Sequence, residues 1–220
     1  MTKAPENLTQ IYDQRFQDRD DDRSVLWQTL TRYYFQDFVA EGDTVMDLPA
    51  GYCEFINNIK CKTKIAVDLN PSVRKMAAKE VKVFLARSTE LPKELYNQAD
   101  VVFVSNFFEH LKDHEELLLT LQQIHSCLKK GGKLIVLQPN IRLVKESYWD
   151  FLDHTLPLTE KSMREALRLA GFTIQVERVR FLPYTTESRL PISALLIRLY
   201  LKFLPAQWLL GKQSLFIVEK

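Results

Sequence analysis

Two aspartates at the ends of apolar stretches have a spacing that suits the binding of a sugar diol. Asp47 lies in the stretch VMDLPAGYCEF, and Asp68 follows twenty-one positions later as the second-last residue of KIAVDL. In an open parallel sheet a ligand lies at the carboxyl ends of the strands, and an acid about 20 residues further on accepts hydrogen bonds from a ribose. We therefore expect Asp68 to bind a ribose beside the turn that follows Asp47.

The turn after Asp47 contains small residues that let a ligand approach the backbone. Ala50 and Gly51 leave room, and Pro49 fixes one bend. A diphosphate-binding turn has the pattern GxGxxG, which this turn lacks, and the Lys-Ser/Thr of a P-loop does not follow it. The sequence thus favours a ligand with an adenosine but without a diphosphate. The alternative is an ordinary turn between a strand and a helix.

Candidates for a general base follow the apolar stretch ADVVFVSN. Glu109 and His110 come directly after it, and an imidazole can take up a proton near neutral pH. The alternative is that His110 caps the next helix or packs under the loop. His110 and His114 also have the i,i+4 spacing of two metal ligands. No third ligand is evident, so the sequence predicts no metal site.

A polar and aromatic loop, NIRLVKESYWDFLDH, follows the next apolar stretch. Aromatic faces beside acids can stack on a sugar or a similar ring, although Trp149 could equally anchor the loop in the fold. We assign His154 to the catalytic candidates together with Glu109 and His110. The candidates for contact with a substrate are Tyr148, Trp149, Asn140 and Arg142.

Alternating strands and helices must position these residues. The predicted strands are TVMDL, KIAVDL, KVFLA, ADVVFVSN, KLIVLQP, TIQVERVRF and SLFIVEK. Continuous apolar strands separated by helices predict a parallel sheet covered on both faces. The last two strands have no ordinary crossover helix between them, so they can pair antiparallel at one edge. We predict a single α/β domain with a Rossmann-like, doubly wound, mostly parallel seven-stranded sheet and an antiparallel edge strand.

Two segments flank this sheet. We assign residues 1–40 to an N-terminal helical arm, in which a helix over residues 24–40 carries an apolar stripe that includes Leu30 and Tyr34. Residues 41–220 form the main domain, with a helical insertion at about 185–212 before the last strand.

The insertion is apolar almost all round. Arg198 and Lys202 interrupt its longest apolar stretch, which is too short and too charged to span a bilayer. Three roles for residues 190–210 stay open: a cover for the sheet edge or the site, a subunit contact, and a peripheral contact with a membrane.

Composition excludes several classes of protein. A net charge of +2 with scattered basic residues argues against a nucleic-acid partner. Three cysteines without a CxxC pair argue against a disulfide framework or a zinc ribbon and favour a reducing compartment. The polar start, MTKAPENLTQ, lacks an apolar signal core. These features predict a cytoplasmic protein, with peripheral attachment to a membrane as the alternative.

From residue 45 to residue 172 the chain resembles the class I S-adenosylmethionine-dependent methyltransferases. VMDLPAGYCEF resembles the first motif of that family, AVDLNP the second, ADVVFVSNFFEHL the motif of the fourth strand and LKKGGKLIVLQPN that of the fifth. Four motifs in this order imply S-adenosylmethionine as the cofactor and methyl transfer as the reaction. The implied cofactor-binding residues are Asp47, Pro49, Ala50, Gly51, Tyr52, Asp68, Leu69, Arg87, Ser88, Asn106 and Phe107, with Tyr12 and Arg15 in an arm that closes over the cofactor.

The sequence departs from the family at two places. Pro49 and Cys53 replace usual glycines of the first motif, and Arg87 stands where the family often has an aspartate that binds adenine. These departures support an alternative, a module of this fold that has lost catalysis. An NAD(P)-dependent oxidoreductase is a weaker alternative, because GxGxxG is missing. The run NIRLVKESYWDFLDHTLPLTEKSM resembles a bacterial subgroup, which implies a small-molecule, glycan-linked or lipid-linked methyl acceptor.

Overall fold

Seven stretches of the chain pair into one sheet in the computed structural model, which describes residues 20–184 and 192–220. The strands are β1 (Thr44–Asp47), β2 (Thr63–Asp68), β3 (Val81–Leu85), β4 (Ala99–Ser105), β5 (Leu128–Pro139), β6 (Thr173–Leu182) and β7 (Gln213–Glu219). Their order is β3-β2-β1-β4-β5-β7-β6. All neighbours pair parallel except β7, which is antiparallel to β5 and β6. The predicted fold class is confirmed.

Helices cover both faces of this sheet. They are α1 (Asp20–Tyr33), α2 (Glu54–Asn58), α3 (Val73–Met76), α4 (His114–Cys127), α5 (Ile141–Val144), α6 (Glu160–Leu169), α7 (Ala194–Lys202) and α8 (Leu204–Leu210). One apolar core joins the sheet to α4 and α6, and a second core on the other face joins it to α1, α2 and α7. In the described residues, no helix has the length and apolar character needed to cross a membrane.

The antiparallel strand β7 lies second from the edge rather than at the edge. Leu182 at the end of β6 and Pro139 at the end of β5 both pair with Gln213, the first residue of β7. The chain therefore enters β7 at the same end of the sheet at which it left β6. For this reason β7 runs in the opposite direction to β6. The helices α7 and α8 fill the connection, within the range predicted for an insertion.

The first helix is shorter at its carboxyl end than the sequence predicted. It ends at Tyr33, and a 3-10 turn over Phe35–Phe38 replaces the rest of the predicted segment 24–40. The ring of Tyr34 lies 5.4 Å from that of Phe35 and 4.6 Å from that of Phe181. Burial of consecutive aromatic residues requires a turn here, because successive side chains of a helix face different directions.

The helix α4 ends earlier than its sequence predicts. The stretch DHEELLLTLQQIHSCLKK predicts an amphipathic helix that Gly131-Gly132 ends, but α4 stops at Cys127, and the two glycines lie within β5. The carbonyl of Cys127 accepts the N–H of Gln98 at 3.0 Å, and Leu128 already pairs with Ala99. Strand pairing with β4 therefore competes successfully with the helical pattern of the sequence.

Candidate functional site

The turn after β1 and the end of β2 form one hydrogen-bonded unit. The carboxylate of Asp68 accepts the N–H of Gly51 at 2.8 Å and the N–H of Asn70 at 2.7 Å. The N–H of Ala50 donates to the carbonyl of Val67 at 3.0 Å. Main-chain donors thus fix the carboxylate of Asp68 at the carboxyl edge of the sheet, where the sequence predicted a ribose acid.

The turn leaves open space in front of its glycine. Gly51 has φ +49, and a Cβ atom at this position would meet nothing within 4 Å. Asp47 and Asp68 are buried below the turn, and burial raises the pKa of both carboxyls. Pro49 follows a cis peptide bond, and Cys53 at φ 60 begins the connection into α2. The altered first motif therefore still forms a tight turn with an open outer face.

Helix α1 contacts this turn through a basic side chain. Arg23 donates from Nε to Glu54 Oε1 at 2.7 Å, and its guanidinium lies 4.1 Å from the ring centroid of Tyr52. Both contacts attach the first helix to the residues that follow Gly51. This arrangement could not be predicted from the sequence, because Arg23 belongs to a charge run that is typical of a solvated surface.

The remaining cofactor candidates lie at the ends of β2, β3 and β4. Leu69, Arg87 and Asn106 are exposed and Phe107 is half-buried, whereas the hydroxyl of Ser88 forms a 2.9 Å hydrogen bond with that of Thr120. Asn106 has φ 48, and its N–H donates to the carbonyl of Leu137 at 2.8 Å. The candidates Tyr12 and Arg15 lie outside the described residues.

The three catalytic candidates meet in one cluster, although residue 154 is far from 109 and 110 in sequence. Glu109, His110 and His154 each offer a ligand or proton-binding atom within 4.8 Å of the others. The imidazoles of His110 and His154 are 5.0 Å apart in a T-shaped arrangement. The N–H groups of Thr155 and Leu156 donate to the carbonyl of Glu109 at 2.8 and 3.0 Å, which joins the loop after β5 to the end of β4.

Main-chain carbonyls orient both imidazoles. His110 Nδ1 lies 3.0 Å from the carbonyl of Asp153, and His154 Nδ1 lies 2.8 Å from that of Tyr148. A carbonyl accepts only, so each Nδ1 carries the proton and each neutral ring has its lone pair on Nε2. Nε2 of His110 lies 4.0 Å from Oε1 of Glu109. The geometry gives His110 a basic nitrogen on the side of the buried acid.

Glu109 is buried within this cluster. Its side chain is 2 % exposed, and Oε2 has no hydrogen-bond partner among the described residues. Burial raises the pKa of Glu109 to about 7. The electrostatic interaction with His110 opposes this rise, and that with Asp153 adds to it. A carboxyl that titrates near neutral pH can exchange a proton with a neighbouring imidazole under ordinary conditions.

Asp153 is a member of the cluster that the sequence analysis missed. Its Oδ2 lies 3.3 Å from His110 Nδ1, and its side chain is almost fully buried. A signal was present in the sequence: three histidines directly follow an acid, in the pairs Glu109-His110, Asp113-His114 and Asp153-His154. The structure packs the first and the last of these pairs against each other.

The cluster is wider than a bound metal ion requires. Adjacent ligands of a tetrahedral zinc ion, with bonds of about 2.0–2.1 Å, lie about 3.4 Å apart. Nε2 of His110 lies 4.0 Å from Oε1 of Glu109, which is wider than this spacing. The pair His110 and His114 considered in the sequence is separated, since His114 starts α4 and is exposed.

The substrate candidates divide into buried and exposed side chains. Tyr148 is fully buried, and its hydroxyl donates to the carbonyl of Leu156 at 2.6 Å. Asn140 is buried, donates to Glu160 at 2.8 Å, and caps α5 by accepting the N–H of Arg142 at 3.1 Å. Trp149 and Arg142 are exposed. Two of the four candidates thus support the loop from inside, and two face solvent.

Comparison with known proteins identifies the family of the described fold. A family model described as a methyltransferase domain matches residues 19–177. No curated protein matches the chain in sequence.

Solved structures of similar fold come from several organisms. One is a SAM-dependent methyltransferase from Archaeoglobus fulgidus, with 19% identity, a TM-score of 0.64 and coverage of 94% of this chain and 99% of that one. A second, from Haloferax volcanii, was solved with a methyltransferase activator and has 19% identity, a TM-score of 0.67 and coverage of 99% and 98%. A third is a SAM-dependent methyltransferase from Thermotoga maritima, with 18% identity, a TM-score of 0.67 and coverage of 95% and 98%. At these identities the likeness concerns the fold.

Proposed function

Because this chain belongs to the methyltransferase-domain family, we propose that it is an enzyme that transfers the methyl group of S-adenosylmethionine to an acceptor held beside His110. The observation that carries the proposal is the carboxylate of Asp68, which main-chain donors hold at the end of β2 beside the open turn of Gly51.

The residues of the turn fit this cofactor. Each oxygen of Asp68 accepts one main-chain N–H, and a carboxylate has acceptor capacity for further bonds from the two ribose hydroxyls. Asp47 and Glu54 place two further carboxyl groups near the turn, which offer oxygen acceptors to the ammonium group of the ligand. The open face of Gly51 accommodates a ligand without a diphosphate. Leu69 and Arg87 are exposed at neighbouring strand ends and are proposed to line the adenosine.

The bound cofactor supplies a methyl group on a good leaving group, so transfer needs mainly alignment and, for a hydroxyl or amine acceptor, removal of a proton. We assign that proton to Nε2 of His110. The carbonyl and carboxylate of Asp153 hold Nδ1–H and stabilise the ring once it is charged. Glu109, with its pKa near 7, then receives or shares the proton. The sequence and the reaction both argue against a metal requirement.

The acceptor is proposed to be a small molecule or a glycan- or lipid-linked intermediate. The exposed ring of Trp149 and the guanidinium of Arg142 lie on the loop that also carries His154, and they offer a stacking face and a hydrogen-bond donor to a hydroxylated ring. Asn140 and Tyr148 hold this loop in position.

Binding and turnover measurements separate this proposal from its two alternatives. Calorimetric titration with S-adenosylhomocysteine and, in parallel, with NAD is expected to detect only the first ligand. Methyl-labelled S-adenosylmethionine and a panel of small-molecule and glycan-linked acceptors then test transfer, with and without a chelator. Binding of the cofactor without transfer to any acceptor favours the inactive module, whereas binding of NAD alone favours the oxidoreductase.

A further inference from the structure

We propose that α7 and α8 form a docking surface for an anionic lipid membrane. Half of the large apolar side chains that are exposed in the described residues belong to these two helices and the residue between them. They are Leu195, Leu196, Leu199, Phe203, Leu204, Trp208, Leu209 and Leu210. Such a concentration of exposed apolar side chains on two consecutive helices is typical of a surface that meets a partner or a membrane.

The opposite side of the two helices is firmly attached to the protein. Leu201 is buried in the core that includes Phe181, and the hydroxyl of Tyr200 donates to the carbonyl of Phe181 at 2.8 Å. The buried amide of Gln207 donates to the carbonyls of Leu201 at 2.9 Å and Tyr200 at 3.3 Å. The apolar residues therefore project from a fixed platform, and covering them requires something outside this chain's described residues.

The positive charge of the surface favours an anionic partner. Residues 192–212 contain the basic residues Arg198, Lys202 and Lys212 and no acidic residue. A membrane interface of anionic lipids attracts each basic residue and accepts the neighbouring apolar side chains. In a two-fold dimer the same surface would face itself, which would bring like charges together. Charge complementarity thus favours a lipid surface over a second copy.

Aromatic side chains strengthen this assignment. The guanidinium of Arg180 lies 5.7 Å from the ring centroid of Trp208, which is 71 % exposed. The guanidinium of Arg198 lies 4.4 Å from the ring of exposed Tyr33 on α1. Tryptophan and tyrosine prefer the level of the lipid headgroups, and the paired arginines remain close to the phosphates there.

The surface lies away from the cofactor turn, so its role can be tested separately. Helix α8 packs on β6, which is four strands from β1 in the sheet, whereas α7 packs on α1. Four strand spacings amount to about 19 Å. Docking and cofactor binding therefore use different residues, and this inference does not depend on the proposed methyl transfer.

The first experiment is sedimentation of the full chain with vesicles at low salt. We expect binding to vesicles of equal phosphatidylcholine and phosphatidylglycerol, weaker binding at high salt because charges are screened, and no binding to phosphatidylcholine alone. The pair Arg198→Glu and Lys202→Glu should lower the vesicle affinity by about 30-fold or more, since each basic residue near such a surface contributes about fivefold. Absence of wild-type binding to the anionic vesicles overturns the proposal.

A second pair of changes separates the membrane from a subunit contact. Trp208→Ala with Leu209→Ser removes two exposed apolar side chains and should lower vesicle affinity at least tenfold. The matched control, Leu152→Ser with Leu169→Ser, changes exposed leucines outside the surface and should bind vesicles like the wild type. Circular dichroism and cofactor titration check the fold of each variant. If light scattering finds a wild-type dimer that the Trp208 and Leu209 changes dissociate, the surface is a subunit contact and the proposal is wrong.

Discussion

Two regions at the carboxyl ends of the strands hold their polar side chains through opposite kinds of hydrogen bond. At the ends of β1 and β2, main-chain N–H groups hold a carboxylate, as Gly51 and Asn70 do for Asp68. At the end of β4, main-chain carbonyls hold imidazoles, as those of Asp153 and Tyr148 do for His110 and His154. Donors from the backbone stabilise a fixed negative charge, whereas carbonyls fix a tautomer and leave a basic nitrogen.

This difference assigns separate tasks to the two regions. A carboxyl group that two N–H groups hold in position is suited to accept hydrogen bonds from the hydroxyls of a ribose. An imidazole beside a carboxyl whose pKa is about 7 is suited to take up and release a proton. Changes in the first region should therefore affect cofactor affinity, and changes in the second should affect turnover.

The largest expected effect is that of His110→Ala on turnover. Loss of the base should lower kcat by about 10² or more, while the affinity for S-adenosylhomocysteine stays close to that of the wild type. Single-turnover rates and calorimetry measure the two quantities. The control His114→Ala, an exposed residue at the start of α4, should retain normal turnover. Equal loss of turnover in both variants would contradict the assignment of His110 as the general base.

The next effect is that of Asp68→Ala on cofactor affinity. Loss of hydrogen bonds from the ribose to a charged acceptor should cost about 2–3 kcal/mol of binding free energy, or roughly 30- to 150-fold in Kd. Calorimetric titration measures it, with Asp37→Asn, an exposed acid outside the site, as the control. Unchanged affinity in a folded Asp68→Ala protein would contradict the role of the second motif.

A smaller effect concerns the pH dependence of stability. The pKa of Glu109 is raised to about 7, so its contribution to folding is present below about pH 4.5 and is lost as the pH rises through 7. Relative to Glu109→Gln, the wild type should lose on the order of 2 kcal/mol of unfolding free energy between pH 4.5 and pH 8. Urea titrations at both pH values measure the change. Glu115→Gln is the exposed control, and an equal pH trend in wild type and Glu109→Gln would refute the burial argument.

The smallest expected effect is that of Tyr148→Phe on stability. This change tests whether Tyr148 supports the loop after β5 from inside or contacts the acceptor. Removal of the hydroxyl leaves the carbonyl of Leu156 without its 2.6 Å partner and should cost about 1–2 kcal/mol of stability. The KM for the acceptor should stay unchanged, because Tyr148 is fully buried. A raised KM at unchanged stability would mean that the hydroxyl contacts the acceptor.

The relative placement of Asp47, Gly51 and Asp68 was easier to predict from the sequence than the contact between the loops that follow β4 and β5, for a physical reason. Asp47, Gly51 and Asp68 belong to one strand–helix–strand unit, so their spacing along the chain reflects their spacing in space. The partners Glu109 and Asp153 come from different loops and meet only when β4 and β5 align. Periodicity within single segments contains no information on that contact.

The carboxyl ends of two helices, α1 and α4, were also predicted incorrectly from the sequence. The apolar stripe of α1 predicted a helix to residue 40, but burial of Tyr34 and Phe35 together ends it at Tyr33. Likewise, pairing of Leu128 with Ala99 ends α4 at Cys127 although the helical pattern continues. In both cases tertiary packing overrides a local preference. The class of the fold, in contrast, followed from the alternation of elements.

The most direct test of the account is the identity of the ligand that remains bound after mild purification, determined by mass spectrometry. The open turn at Gly51 and the fixed carboxylate of Asp68 predict S-adenosylmethionine or S-adenosylhomocysteine, retained by the wild type and depleted in Asp68→Ala. A nicotinamide dinucleotide in the wild-type protein would contradict the account.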